Sequence, residues 1–190
     1  MEELHNILSP ELIQTILNEY QLHWKGVHGI AHWARVLENG LRLASCTGAR
    51  IPVVALFAVF HDSRRTNENK DPGHGRRGAD FARRLNGKAF HLPYEDLHLL
   101  ETACSYHTHT IPSDDITVQT CWDADRLDLG RVGIVPDPKY LFTNVAKQPE
   151  LLNWAYERSR LRYEPKICKA WSISARQDLL PSRRAYRADR

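Results

Sequence analysis

The stretch at residues 51–62, IPVVALFAVFHD, limits most strongly what this chain can fold into. From Ile51 to Phe60 every residue is apolar or proline, and a histidine and an aspartate follow without a break. At about 1.5 Å of rise per residue, a helix of this length falls far short of crossing a bilayer. A helix that is apolar on all sides belongs instead inside a protein core. Pro52 suits the first helical turn, where its missing N–H has no partner to lose. Such a helix carries His61 and Asp62 into or beside the core. A lone carboxylate there is costly unless it is paired, protonated or bound to a metal. Either Asp62 emerges into water at the helix end, or a cation meets it.

The rest of the chain reads as helices, and the expected fold class is all-α. Ser9-Pro10-Glu11 is an N-cap, a first-turn proline and a first-turn acid, opening a helix over 10–24 with Leu12, Ile13, Ile16, Leu17 and Tyr20 inward. A helix over 28–45 follows, with Ile30, Trp33, Ala34, Leu37, Leu41 and Ala44 at helical spacing and Gly48 just past its end. Residues 63–78 are polar, charged and rich in Asn, Gly and Arg, the composition of a loop, and a helix over 74–85 overlaps its end. Further helices are expected from Pro93 to the Ile111-Pro112 stop, over 115–129, and from Pro149 toward Tyr163. One domain over 1–175 with a basic tail over 176–190 is the organisation these patterns imply.

With 190 residues the chain is long enough to bury a core without staples. Its four widely spaced cysteines form no CxxC pair and read as reduced, buried thiols. The acidic N-terminus lacks the basic and apolar regions of a signal peptide, so a cytoplasmic location is expected. A net charge of +3 is too small to argue for a membrane or nucleic-acid partner. The arginine-rich tail (Arg183, Arg184, Arg187 and Arg190, with Tyr186 as its one aromatic) reads as solvated rather than as a nucleic-acid site. Trp122, Trp154 and Trp171 read as core or interface residues.

Ten histidines, several near carboxylates, are the unusual feature. The candidate ligands are His28, His32, His61, Asp62, His74, His107, Asp123 and Asp125. Imidazoles and carboxylates from separate helices suit a divalent ion such as Mn, Fe, Co, Ni or Zn. At about 100° per residue, His107 shares the face of Leu100 and Cys104, whereas His98 and His109 fall on the opposite side. His107 therefore points inward.

The segments HGIAHWARV, FHDSRR, HGRRGA, SYHTH and CWDADRLDLGR, in that order, resemble the HD-domain superfamily of metal-dependent phosphohydrolases. The resemblance covers residues 27–134. It implies a helical bundle with a central metal held by His32, His61, Asp62 and Asp125, the last in the Ala-Asp-Arg-Leu context. Asp123 and Asp128 are then expected on solvated helix surface. His74 and His107 match two extra histidines that a subset of the superfamily uses to hold a second metal, with Asp62 bridging. One or two ions per chain are thus implied.

Three neighbours complete the expected site. His28, a turn before His32, matches the general acid of cyclic-nucleotide phosphodiesterases. Arg64, Arg65 and Arg131 are candidates to meet a phosphate, and Arg65 stands where some nucleotide-cleaving relatives have a glutamate. The resemblance implies hydrolysis of a phosphomonoester or phosphodiester, nucleotides included, by metal-activated hydroxide, with that small phosphate ester as the partner. An HD-type di-iron oxygenase uses the same ligands, and a non-catalytic nucleotide-binding module is a third reading.

Overall fold

The computed structural model describes residues 2–109 and 112–177. Among them the regular elements are helices, with no strand beyond an isolated bridge between Asn86 and Phe90. In chain order they are α1 (Glu2–Ile7), α2 (Pro10–Asn18), α3 (Ile30–Thr47), α4 (Ile51–Phe60), α5 (His74–Leu85), α6 (Tyr94–Tyr106), α7 (Ile116–Arg126), α8 (Pro149–Arg160) and α9 (Ile167–Gln177). Two short 3-10 turns, Leu129–Val132 and Pro138–Tyr140, lie between α7 and α8.

Helix α4 is the axis of the bundle. From Val53 to Phe60 its residues are all buried, and α3, α5, α6 and α7 pack around it. A helix surrounded in this way has no use for a polar face, which is why the run IPVVALFAVF lacks one. Helix α3 is nearly as enclosed, yet it buries His32, Arg35 and Asn39 among its apolar residues. Leu12, Ile13 and Ile16 of α2 are buried, and Ser9 caps that helix by accepting from the Leu12 N–H at 3.2 Å.

Some boundaries differ from expectation. Helix α2 stops at Asn18 rather than Trp24, and α3 begins at Ile30 rather than His28. Between them the chain turns so tightly that the Ile30 N–H donates back to the Trp24 carbonyl at 2.9 Å. A Cβ on Gly29 would lie 2.1 Å from that same carbonyl, so the turn closes only around glycine. Helix α7 ends at Arg126 instead of 129, and the 3-10 turn that follows carries Asp128 into the core at 1% exposure. Asp123 is fully buried too, so neither aspartate lies on the solvated surface expected of it. The Asp123 carboxylate accepts the N–H groups of Phe142 and Thr143 and the Thr143 hydroxyl. It pins a loop from elsewhere in the chain.

Helices α1 and α9 have no counterpart in the sequence reading. The residues of the expected tail from 178 onward, including Arg183, Arg184, Tyr186, Arg187 and Arg190, lie outside the described residues, as does Ile111. All four cysteines are free; Cys46 is exposed rather than buried. No helix among the described residues is long and apolar enough to cross a membrane.

Candidate metal centre

Helix α4 ends by delivering His61 and Asp62 at 0% and 2% exposure, into the interior and not into water. Helix α3 supplies His32 from one side and α7 supplies Asp125 from another. His74 opens α5 and His107 closes α6. Those two meet because Gly75 lets the helices touch: a Cβ there would lie 2.2 Å from the Cys104 carbonyl and 2.9 Å from His107 Nδ1.

The ligand atoms fall into two groups. On the inner side, His32 Nε2 lies 3.0 Å from His61 Nε2, 3.5 Å from Asp62 Oδ2 and 3.4 Å from Asp125 Oδ1. His61 Nε2 is 3.6 Å from Asp62 Oδ2 and 3.7 Å from Asp125 Oδ1. On the outer side, His74 Nε2 is 3.0 Å from both His107 Nε2 and Asp62 Oδ1, and His107 Nε2 is 3.6 Å from Asp62 Oδ1. Donors about 3–3.5 Å apart are spaced as ligands about 2.1 Å from one shared ion would be. The two oxygens of Asp62 face the two groups separately, as a bridging carboxylate does.

The hydrogen bonds behind the ligands decide their protonation. His61 Nδ1 donates to the Phe57 carbonyl at 3.0 Å, His74 Nδ1 to that of Asp71 at 2.6 Å, and His107 Nδ1 to that of Cys104 at 2.8 Å. His32 Nδ1 donates to Asp128 Oδ2 at 2.7 Å. Each partner only accepts, so in the neutral rings the proton sits on Nδ1 and Nε2 presents a bare lone pair. Lone pairs of His32 and His61 then face one another at 3.0 Å. Asp125 Oδ1 beside them is buried without a hydrogen-bond partner. Acceptors crowded in this way repel unless a cation lies among them. These residues fit a divalent metal, with the outer ring nitrogens tied as metal-binding histidines usually are.

Electrostatics agree. Burial pushes the His61 imidazole down to about 3, against the pull of Asp62 and Asp125, so this ring stays neutral and able to ligate. Burial alone would raise Asp62, but the surrounding imidazoles of His61, His107, His28 and His32 outweigh it and hold the carboxyl well below the usual range. Asp125 is likewise held low, its burial overcome by His61, Arg131 and His32. Both are carboxylates at neutral pH.

The neighbours expected at the site are unequally placed. His28, on the turn before α3, brings Nδ1 to 2.8 Å from Asp62 Oδ2 and Nε2 to 3.3 Å from the Glu68 carbonyl. It also lies close enough to form a ligand-spaced triad with His32 and Asp62. Arg131 is buried with Nη2 3.7 Å from Asp125 Oδ1. Arg65 is buried with Nη1 3.2 Å from His74 Nε2 and 3.5 Å from Asp62 Oδ1. Arg64 is instead engaged by Glu19 and lies over the Phe81 ring, and its described contacts include no cluster residue. Asp128 is the residue that sequence reasoning missed. Besides His32 it takes Arg35 Nε at 2.6 Å and Nη2 at 3.0 Å. The available signal was Arg35, a charge one turn from His32 on a helix whose spacing buries it.

Above the outer group runs the loop 63–73. Asp71 closes its base, accepting from the Thr66 N–H at 2.7 Å and from Arg77 Nη2 at 2.7 Å. A cavity of 390 Å³ lies between this loop and the end of α6, walled by Arg65, Asn69, Lys70, His74, Thr108 and His109 among others. The larger cavities, of 730 and 630 Å³, have no ligand residue in their walls.

The fold is similar to that of a predicted HD superfamily hydrolase from an uncultured Thermotogales bacterium, known from its crystal structure. The two chains are 24% identical, with a TM-score of 0.59 over 77% of this chain and 84% of that one. The all-helical HD fold expected from the motifs is the fold observed. No family model matches the chain, and no curated protein matches it either.

Proposed function

We propose that this protein is a metal-dependent phosphohydrolase cleaving a phosphomonoester or phosphodiester, with nucleotides among its candidate substrates. The observation that carries the reading is the inner group: facing histidine lone pairs and an unpartnered buried carboxylate oxygen, all anchored from behind. His32, His61, Asp62 and Asp125 would hold a divalent ion of the Mn, Fe, Co, Ni or Zn class, which would supply Lewis acidity and bring the pKa of water toward neutrality. Arg65 and Arg131 set positive charge against the phosphate oxygens. His28, tied to Asp62 through Nδ1, is the proton carrier for the leaving oxygen through Nε2. The cavity beside Arg65 and His74 receives the ester. The described hydrolase of similar fold supports the reaction class.

The test is a screen of the purified protein, stripped and reloaded with each ion, against nucleotide mono- and diesters with and without oxygen. Phosphate release that needs metal and ignores oxygen is expected. Oxygen consumption with an absolute need for iron would establish the oxygenase instead, and tight nucleotide binding without turnover the non-catalytic module. His28→Gln should lower kcat while leaving the metal content unchanged.

A further inference from the structure

The outer group already has a resident cation. We infer that Arg65 holds the electrostatic place of a second metal, so that this chain binds one ion tightly at the inner group and a second only by displacing a guanidinium. The inference rests on the metal-centre reading above and deepens it.

Three observations converge. Arg65 Nη1 lies 3.2 Å from His74 Nε2 and 3.5 Å from Asp62 Oδ1, two of the three ligand atoms a second ion would use. At the inner group the neighbouring guanidinium, Arg131, comes no nearer than 3.7 Å to Asp125 Oδ1, beyond hydrogen-bond reach, and that carboxylate oxygen stays unpartnered. The guanidinium is also built in: it is 6% exposed, and Nε and Nη2 donate to the Asn67 and Asn69 carbonyls.

Displacement has nowhere favourable to send it. The adjoining cavity offers Lys70, of like charge, and Asp71, whose oxygens are already taken by Arg77 and Thr66. Charge balance points the same way. Asp62 and Asp125 face Arg65 and Arg131, so each dication adds uncompensated charge, and the second meets both the first ion and Arg65 at close range.

The experiment is calorimetric titration of the metal-stripped full chain with Mn(II), with metal analysis after dialysis. Wild type should retain one equivalent, with a second binding at least about 30-fold more weakly. Arg65→Gln should tighten the second step at least about tenfold and leave the first within about threefold. Arg65→Lys keeps a cation and should keep the second step weak, whereas a mere packing role would make it behave like the glutamine variant. Arg64→Gln removes the same charge from outside the cluster and should change neither step. Two equivalents of equal affinity in wild type would overturn the inference whether or not the variants fold. Wild type that binds no Mn(II) at all would overturn the metal-centre reading itself.

Discussion

The inner and outer halves of the histidine–aspartate cluster share Asp62 and differ in almost everything behind it. Inner ligands come from the first turn of α3, the end of α4 and the last turn of α7, three helices packed on one another. His32 is braced by Asp128, which is braced in turn by Arg35, and Arg35 Nη1 reaches the Tyr163 carbonyl at 3.0 Å. Outer ligands sit at helix ends, beside a loop, with an arginine already among them. Helix ends packed together and braced from behind hold a constellation more firmly than ends beside a loop do. The contrast underlies the difference in metal affinity proposed for the two positions.

The strongest way to break this contrast is to remove what the halves share. Asp62→Ala should leave no metal after dialysis and no phosphatase activity above background, with helical content by circular dichroism largely intact. Retained metal would show that Asp62 is not a ligand. The next variants separate the halves. His32→Ala should lose all tightly held metal, and His107→Ala should keep one equivalent; the reverse order would invert the assignment of the tight site. Asp128→Asn tests the brace, and by analogy with other such partners of metal-binding histidines it should weaken the first equivalent about 10–100-fold in the same titration.

The smallest effect concerns protons in the metal-stripped protein. His61 titrates at about 3 when folded against an ordinary 6.5, so between those values the unfolded chain takes up a proton that the folded chain refuses. Acidification through that window should therefore destabilise the fold, by up to about 1.4 kcal/mol per pH unit from this one group. His107 runs the other way. Burial would lower it, but Asp62 raises it, so its contribution is complete below the ordinary value and lost as pH rises through the raised one. NMR titration should find the His107 ring protonating above its ordinary value while His61 stays neutral to about pH 3. Identical titrations would erase the electrostatic difference between the halves.

Much of this was legible in the sequence. An apolar run with no polar face announces a central helix, and a His-Asp pair at its end announces that the interior must receive a carboxylate. Proline marked the starts of α2, α4 and α8. Other features depend on contacts between distant segments. Nothing local tells that Asp123 will capture backbone amides 19 and 20 residues away, or that α7 will tighten and turn Asp128 inward. His28 reaches the site by a loop closing on Trp24, not by helical spacing. Arg64 and Arg65 are indistinguishable as letters, yet one meets Glu19 and the other meets the ligands.

The loop above the outer group carries one further consequence. Asp71 clasps its base, and the hydrogen bonds that draw 67–69 toward Arg65 and His28 are made to the carbonyls of Asn67, Glu68 and Asn69. Every amino acid supplies a carbonyl. Two side chains add to this, Asn67 Oδ1 accepting from the Asn69 N–H at 2.9 Å and the Glu68 carboxylate lying 3.8 Å from His28 Nε2, whereas those of Asn69 and Lys70 line the cavity, so positions 69 and 70 are where the cavity wall can change while the loop keeps its register.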